Sequence, residues 1–195
     1  MKRFTDILIS LGILLVFLPF WLIIALLISI ESQGGPFYLQ ERIGKNAIPF
    51  KIFKFRSMRM GSDKKGLITV GAADPRITSS GRFLRKYKID EFPQLMNVLL
   101  GEMSLVGPRP EVAKYVKLYN KEQQAILKVR PGITDWASLA YFEENELLAN
   151  SDNPNKTYIE QVMPAKLALN MRFINDPGFS SYCKILMATF KKLIS

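Results

Sequence analysis

Residues 7 to 30 form an uninterrupted run of 24 uncharged residues, in which only Ser10, Gly12, Pro19 and Ser29 are not strongly apolar. A straight helix of this length extends about 36 Å, against roughly 30 Å for the hydrocarbon core of a bilayer. The run is too long for the core of a cleaved signal peptide, and no small-residue cleavage site follows it. The pattern therefore predicts a segment that enters a membrane.

Pro19 lies at the middle of this run, where its ring and missing amide kink a helix. Each arm of about 12 residues reaches only halfway through a bilayer. We therefore expect residues 1–33 to form a re-entrant membrane anchor, broken at Pro19, with both ends on the cytoplasmic side. A single kinked helix that crosses the membrane is the alternative, because spanning helices tolerate proline. Both flanks carry basic residues, which mark the cytoplasmic side: Lys2, Arg3, Arg42, Lys45, Lys51 and Lys54.

Two stretches of strand composition, 37–43 and 48–57, flank the turn signal Gly44-Lys45-Asn46 and predict a β-hairpin. In the second strand, the alternation with period two places Lys54 and Arg56 on the same face. Two cations on one face can bind one anionic ligand. They can equally lie on the solvated face of an edge strand.

Helical periodicity and end signals account for most of the remaining chain. The expected fold is mixed α/β, mainly helical with a short β-hairpin. It comprises the anchor at 1–33, a cytoplasmic domain at 34–178 and an amphipathic C-terminal helix at 179–195.

The apolar stripe of that last helix suits either core packing or contact with the membrane interface. The stripe consists of Phe179, Tyr182, Leu186, Phe190 and Leu193. The other predicted segments are a glycine-rich loop at 61–81 and helices at 81–88, 90–100, 111–128 and 157–174, the last interrupted at Pro164.

The positive charge is concentrated in one part of the chain. The 195 residues carry a formal net charge of +10, and residues 41–89 hold 13 basic and three acidic residues. This stretch therefore accounts for the whole excess. Next to a membrane segment, such an excess is typical of binding to anionic lipid head groups or to a phosphate-bearing substrate. A solvated surface is the simpler interpretation.

The residue types that the sequence lacks limit the kinds of catalysis and metal binding that it can support. The sequence has no histidine, and Cys183 is its single cysteine. This composition excludes imidazole catalysis, an internal disulfide and zinc sites built on several thiolates. The glycine-rich phosphate-binding fingerprints of nucleotide enzymes are also missing. Any reaction must depend on carboxylates, lysine, arginine, hydroxyls and a metal that prefers oxygen ligands.

Asp90 and Glu91 form a carboxylate pair with Arg82, Arg85 and Arg109 nearby in the sequence. A divalent cation can bridge carboxylates and phosphates while guanidinium groups bind further phosphate oxygens. An Asp carboxylate is also a competent nucleophile at phosphorus, and the start of a helix keeps it ionised. The alternative is that the pair only caps a helix that begins at Asp90.

Seven motifs occur in order along almost the whole chain, and the series is far more specific than any one of its members. Together they resemble the bacterial sugar transferases, which are monotopic polyprenyl-phosphate phosphoglycosyl transferases. The length resembles the minimal catalytic form of that family. The motifs are Gln40-Glu41-Arg42-Ile43-Gly44, Lys54-Phe55-Arg56-Ser57-Met58, Asp74-Pro75-Arg76-Ile77-Thr78, Gly81-Arg82-Phe83-Leu84-Arg85, Asp90-Glu91-Phe92-Pro93-Gln94-Leu95 with Asn97-Val98, Gly101-Glu102-Met103-Ser104-Leu105-Val106-Gly107-Pro108-Arg109-Pro110-Glu111, and Arg130-Pro131-Gly132-Ile133-Thr134.

The resemblance implies transfer of a sugar 1-phosphate from a UDP-sugar to undecaprenyl phosphate, with magnesium and with release of UMP. The reaction would take place at the cytoplasmic face of the bacterial inner membrane, as the first membrane step in the assembly of a lipopolysaccharide, capsule, exopolysaccharide or glycoprotein glycan. Carried over to this sequence, Asp90 is the nucleophile that forms a covalent phosphosugar intermediate, and Asp90 and Glu91 are the Mg²⁺ ligands. The implied phosphate-binding and substrate-binding residues are Arg85, Arg109, Lys54 and Arg56.

Two positions depart from the family pattern. Leu18 stands before the hairpin proline where the family often has Ser, so the bend needs another source of support. After the motif that ends at Thr134, Asp135-Trp136-Ala137-Ser138 replaces the common Gly-Trp-Ala-Gln. This second departure leaves open whether the loop has a nucleotide or sugar role.

Two other function classes compete with the enzyme. A membrane-tethered nucleic-acid-binding protein would use the basic 41–89 stretch, but the sequence contains no known reading module, and we expect no nucleic acid partner. A scaffold that recruits glycan enzymes would fit the motifs only with an inactive Asp-Glu pair. The sequence specifies neither the UDP-sugar nor the glycan. It leaves open a homodimer and an association with downstream glycosyltransferases.

Overall fold

The computed structural model describes residues 1–62, 66, 69, 71 and 74–194. The predicted mixed, mainly helical architecture with a small antiparallel hairpin is confirmed. The helices are α1 (Lys2–Val16), α2 (Leu18–Glu31), α3 (Ser79–Lys86), α4 (Gln94–Leu100), α5 (Ala113–Val116), α6 (Trp136–Ala140), α7 (Glu144–Ala149), α8 (Pro154–Thr157), α9 (Met163–Asn175) and α10 (Phe179–Ile194). The strands are β1 (Phe37–Ile43), β2 (Pro49–Phe55), β3 (Ser104–Val106) and β4 (Gly132–Thr134). The predicted loop at 61–81 lies partly outside the described residues, and it ends where α3 begins at Ser79.

The predicted β-hairpin is confirmed. β1 pairs with β2 in antiparallel register, from Phe37 opposite Phe55 to Ile43 opposite Pro49. The connecting turn reverses the chain through the left-handed region, with φ of 57° at Asn46. Asn tolerates this region better than most residues, because its short polar side chain bonds locally.

A second pair of strands brings together two segments that are distant in sequence. β3 and β4 pair in parallel, with Ser104 opposite Gly132. Their backbones approach so closely that a Cβ atom on Gly132 would lie 2.1 Å from the Gly107 nitrogen. Only glycine fits such an approach. The pairing places the segment after β3, which contains Arg109, beside the segment after β4, which begins at Asp135.

The helix that follows the acidic pair begins later than predicted. Asp90 and Glu91 belong to a separate 3₁₀ turn, Ile89–Glu91, and α4 begins only at Gln94, so Asp90 is not the N-cap of that helix. The physical reason is Lys88, whose φ of 56° turns the chain out of α3 and starts a tight turn in place of a helix. The predicted end at Gly101 is confirmed, with a left-handed φ of 89° that is typical of a C-cap.

Two other predicted helices are interrupted at different places. The stretch 111–128 contains α5 and a separate 3₁₀ turn at Gln123–Lys128. The side chains of Asn120 and Gln123 each accept a hydrogen bond from the other residue's backbone amide, and these bonds begin the second turn there. Near 157–174, a π turn at Tyr158–Val162 leads into α9. Pro164 lies in the first turn of α9, where its missing amide costs nothing, and it does not interrupt the helix.

The two N-terminal helices form a bent pair. The break is at Phe17, two residues before the predicted position, and Pro19 lies in the first turn of α2, where proline is well accommodated. Backbone hydrogen bonds from Phe17 to Ile13 and from Trp21 to Phe17 continue on both sides of the break and support it without a serine at position 18. The bend is 65°. Among the described residues, neither helix alone is long and apolar enough to cross a membrane, whereas the bent pair meets that test by length and composition.

The polar residues of α1 form one stripe that docks on the rest of the protein. Arg3 donates to the carbonyls of Val98 and Leu99 at the end of α4, at 2.6 and 3.1 Å. Asp6 is almost fully buried, and its carboxylate accepts hydrogen bonds from three groups: the Ser104 hydroxyl, the Leu105 amide and the Tyr182 hydroxyl. The opposite face of α1 is apolar and exposed. The segment predicted as the membrane anchor, 1–33, is thus attached to the rest of the protein by polar contacts near its N-terminus.

Loss of the Asp6 carboxylate should destabilise the fold. We expect Asp6→Ala to cost about 2 to 4 kcal/mol, because it leaves buried donors on Ser104, Leu105 and Tyr182 without an acceptor. Thermal unfolding in detergent should show a fall in Tm of roughly 5 to 15 °C. The matched control is Asp176→Asn, which alters an exposed carboxylate that accepts one serine hydroxyl and should change Tm little. An unchanged Tm in Asp6→Ala would contradict the docking role.

The C-terminal helix divides its apolar stripe between two environments. Tyr182 is fully buried, and Leu186 packs against the same cluster around β3 and α4. Phe179, Phe190 and Leu193 remain 39%, 60% and 42% exposed. The core interpretation is therefore correct for the middle of the stripe, and its two ends present apolar surface on the outside of the protein.

Candidate active site

Glu91 is the centre of an ion-pair network. Its Oε2 accepts a hydrogen bond of 2.8 Å from Arg109 Nη1, and its Oε1 accepts from Arg109 Nη2. Lys54 Nζ lies 3.3 Å from the same Oε1. The carboxylate is thus held by a two-pronged guanidinium, the geometry that gives the strongest charge-assisted pairs, and by an ammonium group.

Three elements that are far apart in sequence supply these side chains. Lys54 comes from the end of β2, Glu91 from the 3₁₀ turn after α3, and Arg109 from the segment after β3. Burial opposes ionisation of Glu91, but the charges of Arg109 and Lys54 outweigh it and hold the pKa of Glu91 well below its usual range. Burial lowers the pKa of the Lys54 ammonium. The network therefore keeps Glu91 ionised throughout the working range of pH.

Asp90 has the opposite character to its neighbour. The residue is 6% exposed, and its carboxylate accepts no hydrogen bond from a residue that the structure describes. Burial, together with the charge of Glu91, raises the pKa of Asp90, while Lys54 and Arg85 work in the other direction. The sequence-based expectation that Asp90 starts a helix and is kept ionised by it is wrong, because Asp90 lies in a 3₁₀ turn and α4 begins only at Gln94. Lys54 and Arg85 favour the ionised carboxylate but do not outweigh burial and Glu91. A desolvated carboxylate without hydrogen bonds, beside cations, has the character of a nucleophile.

The other predicted binding residues lie in different surroundings. Arg85, in the last turn of α3, is near enough to Asp90 to lower its pKa, and it forms no ion pair within the described part of the chain. Arg56 does not join Lys54 at Glu91. Its guanidinium donates to the carbonyls of Gly34, Gly35 and Phe37, at 2.8 to 3.0 Å, and thereby holds the segment that connects α2 to β1.

Sequence reasoning gave no role at the site to two of its residues. Lys88, between α3 and the 3₁₀ turn, lies close enough to lower the pKa of both Asp90 and Glu91. Asp135 accepts a hydrogen bond from the backbone amide of Arg109. The sequence marked Asp135 only as the first residue of the Asp135-Trp136-Ala137-Ser138 departure from the family pattern and left its role open.

The residues at the site fit a magnesium ion only if a substrate supplies some of its ligands. In proteins Mg²⁺ is usually bound by one or two carboxylates, and substrate phosphates and water complete its octahedron. Both oxygens of Glu91 are engaged by cations, whereas the Asp90 carboxylate has no such partner among the described residues. No group of three His, Cys, Asp or Glu residues that could hold a metal occurs in the described part of the chain. The arrangement therefore suits a metal held jointly by Asp90 and a phosphate-bearing substrate.

Comparison with known proteins shows the family of this chain. The model of the bacterial sugar transferase family matches residues 1–195. The chain belongs to that family. The expectation drawn from the seven sequence motifs is thereby confirmed.

Several curated members of the family are similar to this chain. It is 42% identical over 143 residues to the UDP-N-acetylgalactosamine-undecaprenyl-phosphate N-acetylgalactosaminephosphotransferase of Aeromonas hydrophila, with 72% of this chain and 34% of that protein covered. It is 39% identical over 142 residues to the UDP-glucose:undecaprenyl-phosphate glucose-1-phosphate transferase of Escherichia coli, covering 71% and 31%. It is 35% identical over 200 residues to the undecaprenyl-phosphate glucose phosphotransferase of Komagataeibacter xylinus, covering 99% and 36%. The chain thus spans about a third of the length of these relatives.

Proposed function

We propose that this protein transfers a sugar 1-phosphate from a UDP-sugar to undecaprenyl phosphate and releases UMP. The observation that carries the proposal is the buried Asp90 carboxylate, without a hydrogen-bond partner among the described residues, beside the Lys54–Glu91–Arg109 network. The names of the relatives support the same acceptor and the same type of transfer. The site combines one available carboxylate with several cations, which suits a reaction at a pyrophosphate.

In the first half of the proposed reaction, an Asp90 carboxylate oxygen attacks the β-phosphorus of the UDP-sugar. A bond from the Asp90 oxygen to phosphorus forms, and the bond from that phosphorus to the bridging oxygen breaks. UMP leaves with the electron pair, and the phosphosugar stays on Asp90 as an acyl phosphate. No proton transfer is required in this step, which suits a site without histidine.

In the second half, a phosphate oxygen of undecaprenyl phosphate attacks the same phosphorus. The bond to Asp90 breaks, the carboxylate is regenerated, and the product is the undecaprenyl diphosphate sugar. Covalent catalysis of this kind divides one difficult displacement into two easier ones and requires ping-pong kinetics.

The cations take different parts in this mechanism. Arg109 is held by Glu91 with its guanidinium plane fixed, so it can present the remaining N–H groups to a phosphate oxygen without reorganising. Arg85 and Lys54 compensate the charge of Asp90 and of the incoming pyrophosphate. Asp90, together with the substrate phosphates, would hold Mg²⁺, while Glu91 keeps Arg109 and Lys54 beside it. When bound, the ion would neutralise phosphate charge and favour departure of UMP.

The pH dependence of the reaction should report the environment of Asp90. The nucleophile must be ionised, so activity should fall as the pH drops through a pKa that burial raises. Lys54 lowers that pKa, and we therefore expect Lys54→Met to shift the acid limb of kcat/KM to higher pH. Lys51→Met, which removes an exposed lysine of the same strand, should leave the limb in place. A limb that does not move in Lys54→Met would contradict the coupling.

We further propose that α1 and α2 enter the inner membrane from the cytoplasm and return to the same side. Both ends of the bent pair contact the same body, which supports this topology. Arg3 and Asp6 bind the ends of α4 and β3, and the Glu31 carboxylate at the other end accepts hydrogen bonds from the amides of Ser79 and Ser80 in α3. The apolar residues exposed on the two helices are those that lipid would cover.

Accessibility of the N-terminus tests this topology. A tag at residue 1 should be shielded from membrane-impermeant reagents outside intact cells and accessible once the inner membrane is opened. Pro19→Ala restores an amide that can donate to the Leu15 carbonyl, which favours a continuous helix through Phe17. We expect a fraction of this variant to expose the tag outside. Labelling of the unaltered protein from outside would exclude the re-entrant arrangement.

The function itself is tested by release of UMP. Purified protein, mixed with undecaprenyl phosphate and each member of a panel of UDP-sugars, should release UMP with at least one donor. Release that requires the lipid phosphate for continued turnover supports the transferase. No release with any donor, although the protein is folded, would favour a scaffold that recruits other glycan enzymes.

A further inference from the structure

Asp135 is a fully buried carboxylate that has no role in the mechanism proposed above. It is 0% exposed and lies between β4 and α6. Its Oδ1 accepts a hydrogen bond of 2.5 Å from the Ser138 amide, and its Oδ2 accepts one of 3.2 Å from the Arg109 amide. A carboxylate removed from water is costly unless both oxygens find partners. Both oxygens of Asp135 have such a partner.

Helix capping alone does not explain an Asp at this position. Ser, Thr and Asn cap a helix about as well, through one acceptor oxygen. Among the residues favoured at an N-cap, only Asp offers two acceptor oxygens on the same side chain. Here one oxygen caps α6 and the other holds the backbone of Arg109. Asp at this position therefore accepts hydrogen bonds from two segments at once, the start of α6 and the segment that contains Arg109.

These contacts fix Arg109 at both ends. Glu91 binds its guanidinium, Asp135 binds its backbone amide, and Nη1 lies 3.4 Å from the Ile133 carbonyl. The negative charge of Asp135, after that of Glu91, also favours the charged form of the guanidinium. The close approach of Gly107 and Gly132 places the Asp135 carboxylate against the segment of Arg109.

We infer that Asp135 is a positioning residue that acts through Arg109 and sets the place of its guanidinium at the substrate pyrophosphate. The inference rests on the proposed function for the identity of the ligand. It assigns to the Asp135-Trp136-Ala137-Ser138 segment the support of a phosphate-binding arginine, with no direct contact between Asp135 and the sugar or nucleotide.

The test is a double-mutant cycle on the full chain in detergent, with UDP as the probe. Asp135→Ser keeps an oxygen that can cap α6, but the shorter side chain has no second acceptor for the Arg109 amide. We expect it to weaken UDP binding, measured by calorimetry, by roughly 10- to 100-fold, the usual effect of a buried donor left unpaired. In the Arg109→Lys background the same change should weaken binding less than about twofold, because the residue through which Asp135 acts is already altered.

A purely structural role would reduce UDP affinity by the same factor in both backgrounds, and that result would overturn the inference. Wild-type affinity in Asp135→Ser would also overturn it. If that variant does not fold, Asp135→Asn keeps the volume and enters the same cycle. The control is Asn153→Ala, which removes the side-chain cap of α8 and should leave UDP affinity unchanged. Because UDP binding is measured without turnover, failure of the transferase assay and failure of this inference give different results.

Discussion

Asp90→Asn should abolish both turnover and covalent labelling. In the unaltered protein, UDP-sugar labelled in the sugar should leave label on the polypeptide until undecaprenyl phosphate is added, because the phosphosugar resides on Asp90 between the two half-reactions. The amide has nearly the same shape as the carboxylate but is not a nucleophile. We expect a loss of at least about a thousandfold in kcat, as is typical when a covalent nucleophile is removed.

The control for this experiment is Asp152→Asn, which removes an exposed carboxylate and should leave labelling and turnover intact. UDP binding in Asp90→Asn should persist, since the Glu91–Arg109 pair does not depend on Asp90. Stoichiometric label on the Asp90→Asn protein, or turnover near that of the unaltered chain, would show that another group carries the phosphosugar or that no covalent intermediate forms.

Arg109→Lys should be severely impaired although the charge is retained. Arg109 uses two nitrogens to hold Glu91, and its backbone is tied to Asp135, so the remaining N–H groups have a fixed direction. Lysine has one ammonium group and cannot hold Glu91 with two parallel bonds while it binds a phosphate. Removal of a preorganised donor of this kind costs about 2 to 4 kcal/mol of transition-state stabilisation. The expected loss in kcat/KM for the UDP-sugar is therefore roughly 30- to 1000-fold.

Arg130→Lys is the matched control. Arg130 is exposed, and its guanidinium donates to one carbonyl, that of Gly101, so its replacement should change kcat/KM little. Raising the magnesium concentration should not rescue Arg109→Lys, because the defect lies in geometry and not in the total charge. An Arg109→Lys protein with nearly full activity would mean that long-range charge is sufficient and that the fork geometry has no role.

Local signals in the sequence determined several elements well. The alternation of strand residues around a turn predicts the hairpin, and the glycine after Leu100 predicts the end of α4, because both features depend on backbone preferences of a few residues. The apolar run predicts two arms, and Pro19 predicts a break near the middle, although the break falls at Phe17. The carboxylate pair at Asp90 and Glu91 was also evident, since its two members are adjacent in the chain.

Tertiary structure alone decided how the site residues are paired. Lys54 and Arg56 share a face of one strand by periodicity, yet one binds Glu91 and the other binds the carbonyls of residues 34, 35 and 37. Which partner each cation takes depends on segments that approach from elsewhere, and no local rule specifies that approach. The roles of Asp6 and Asp135 were hidden for the same reason. The hydrogen bonds of Asp6 reach residues at least 98 positions away, and the bond from the Arg109 amide to Asp135 spans 26 positions. The cost of burying a carboxylate explains these pairings only once the fold has brought the donors together.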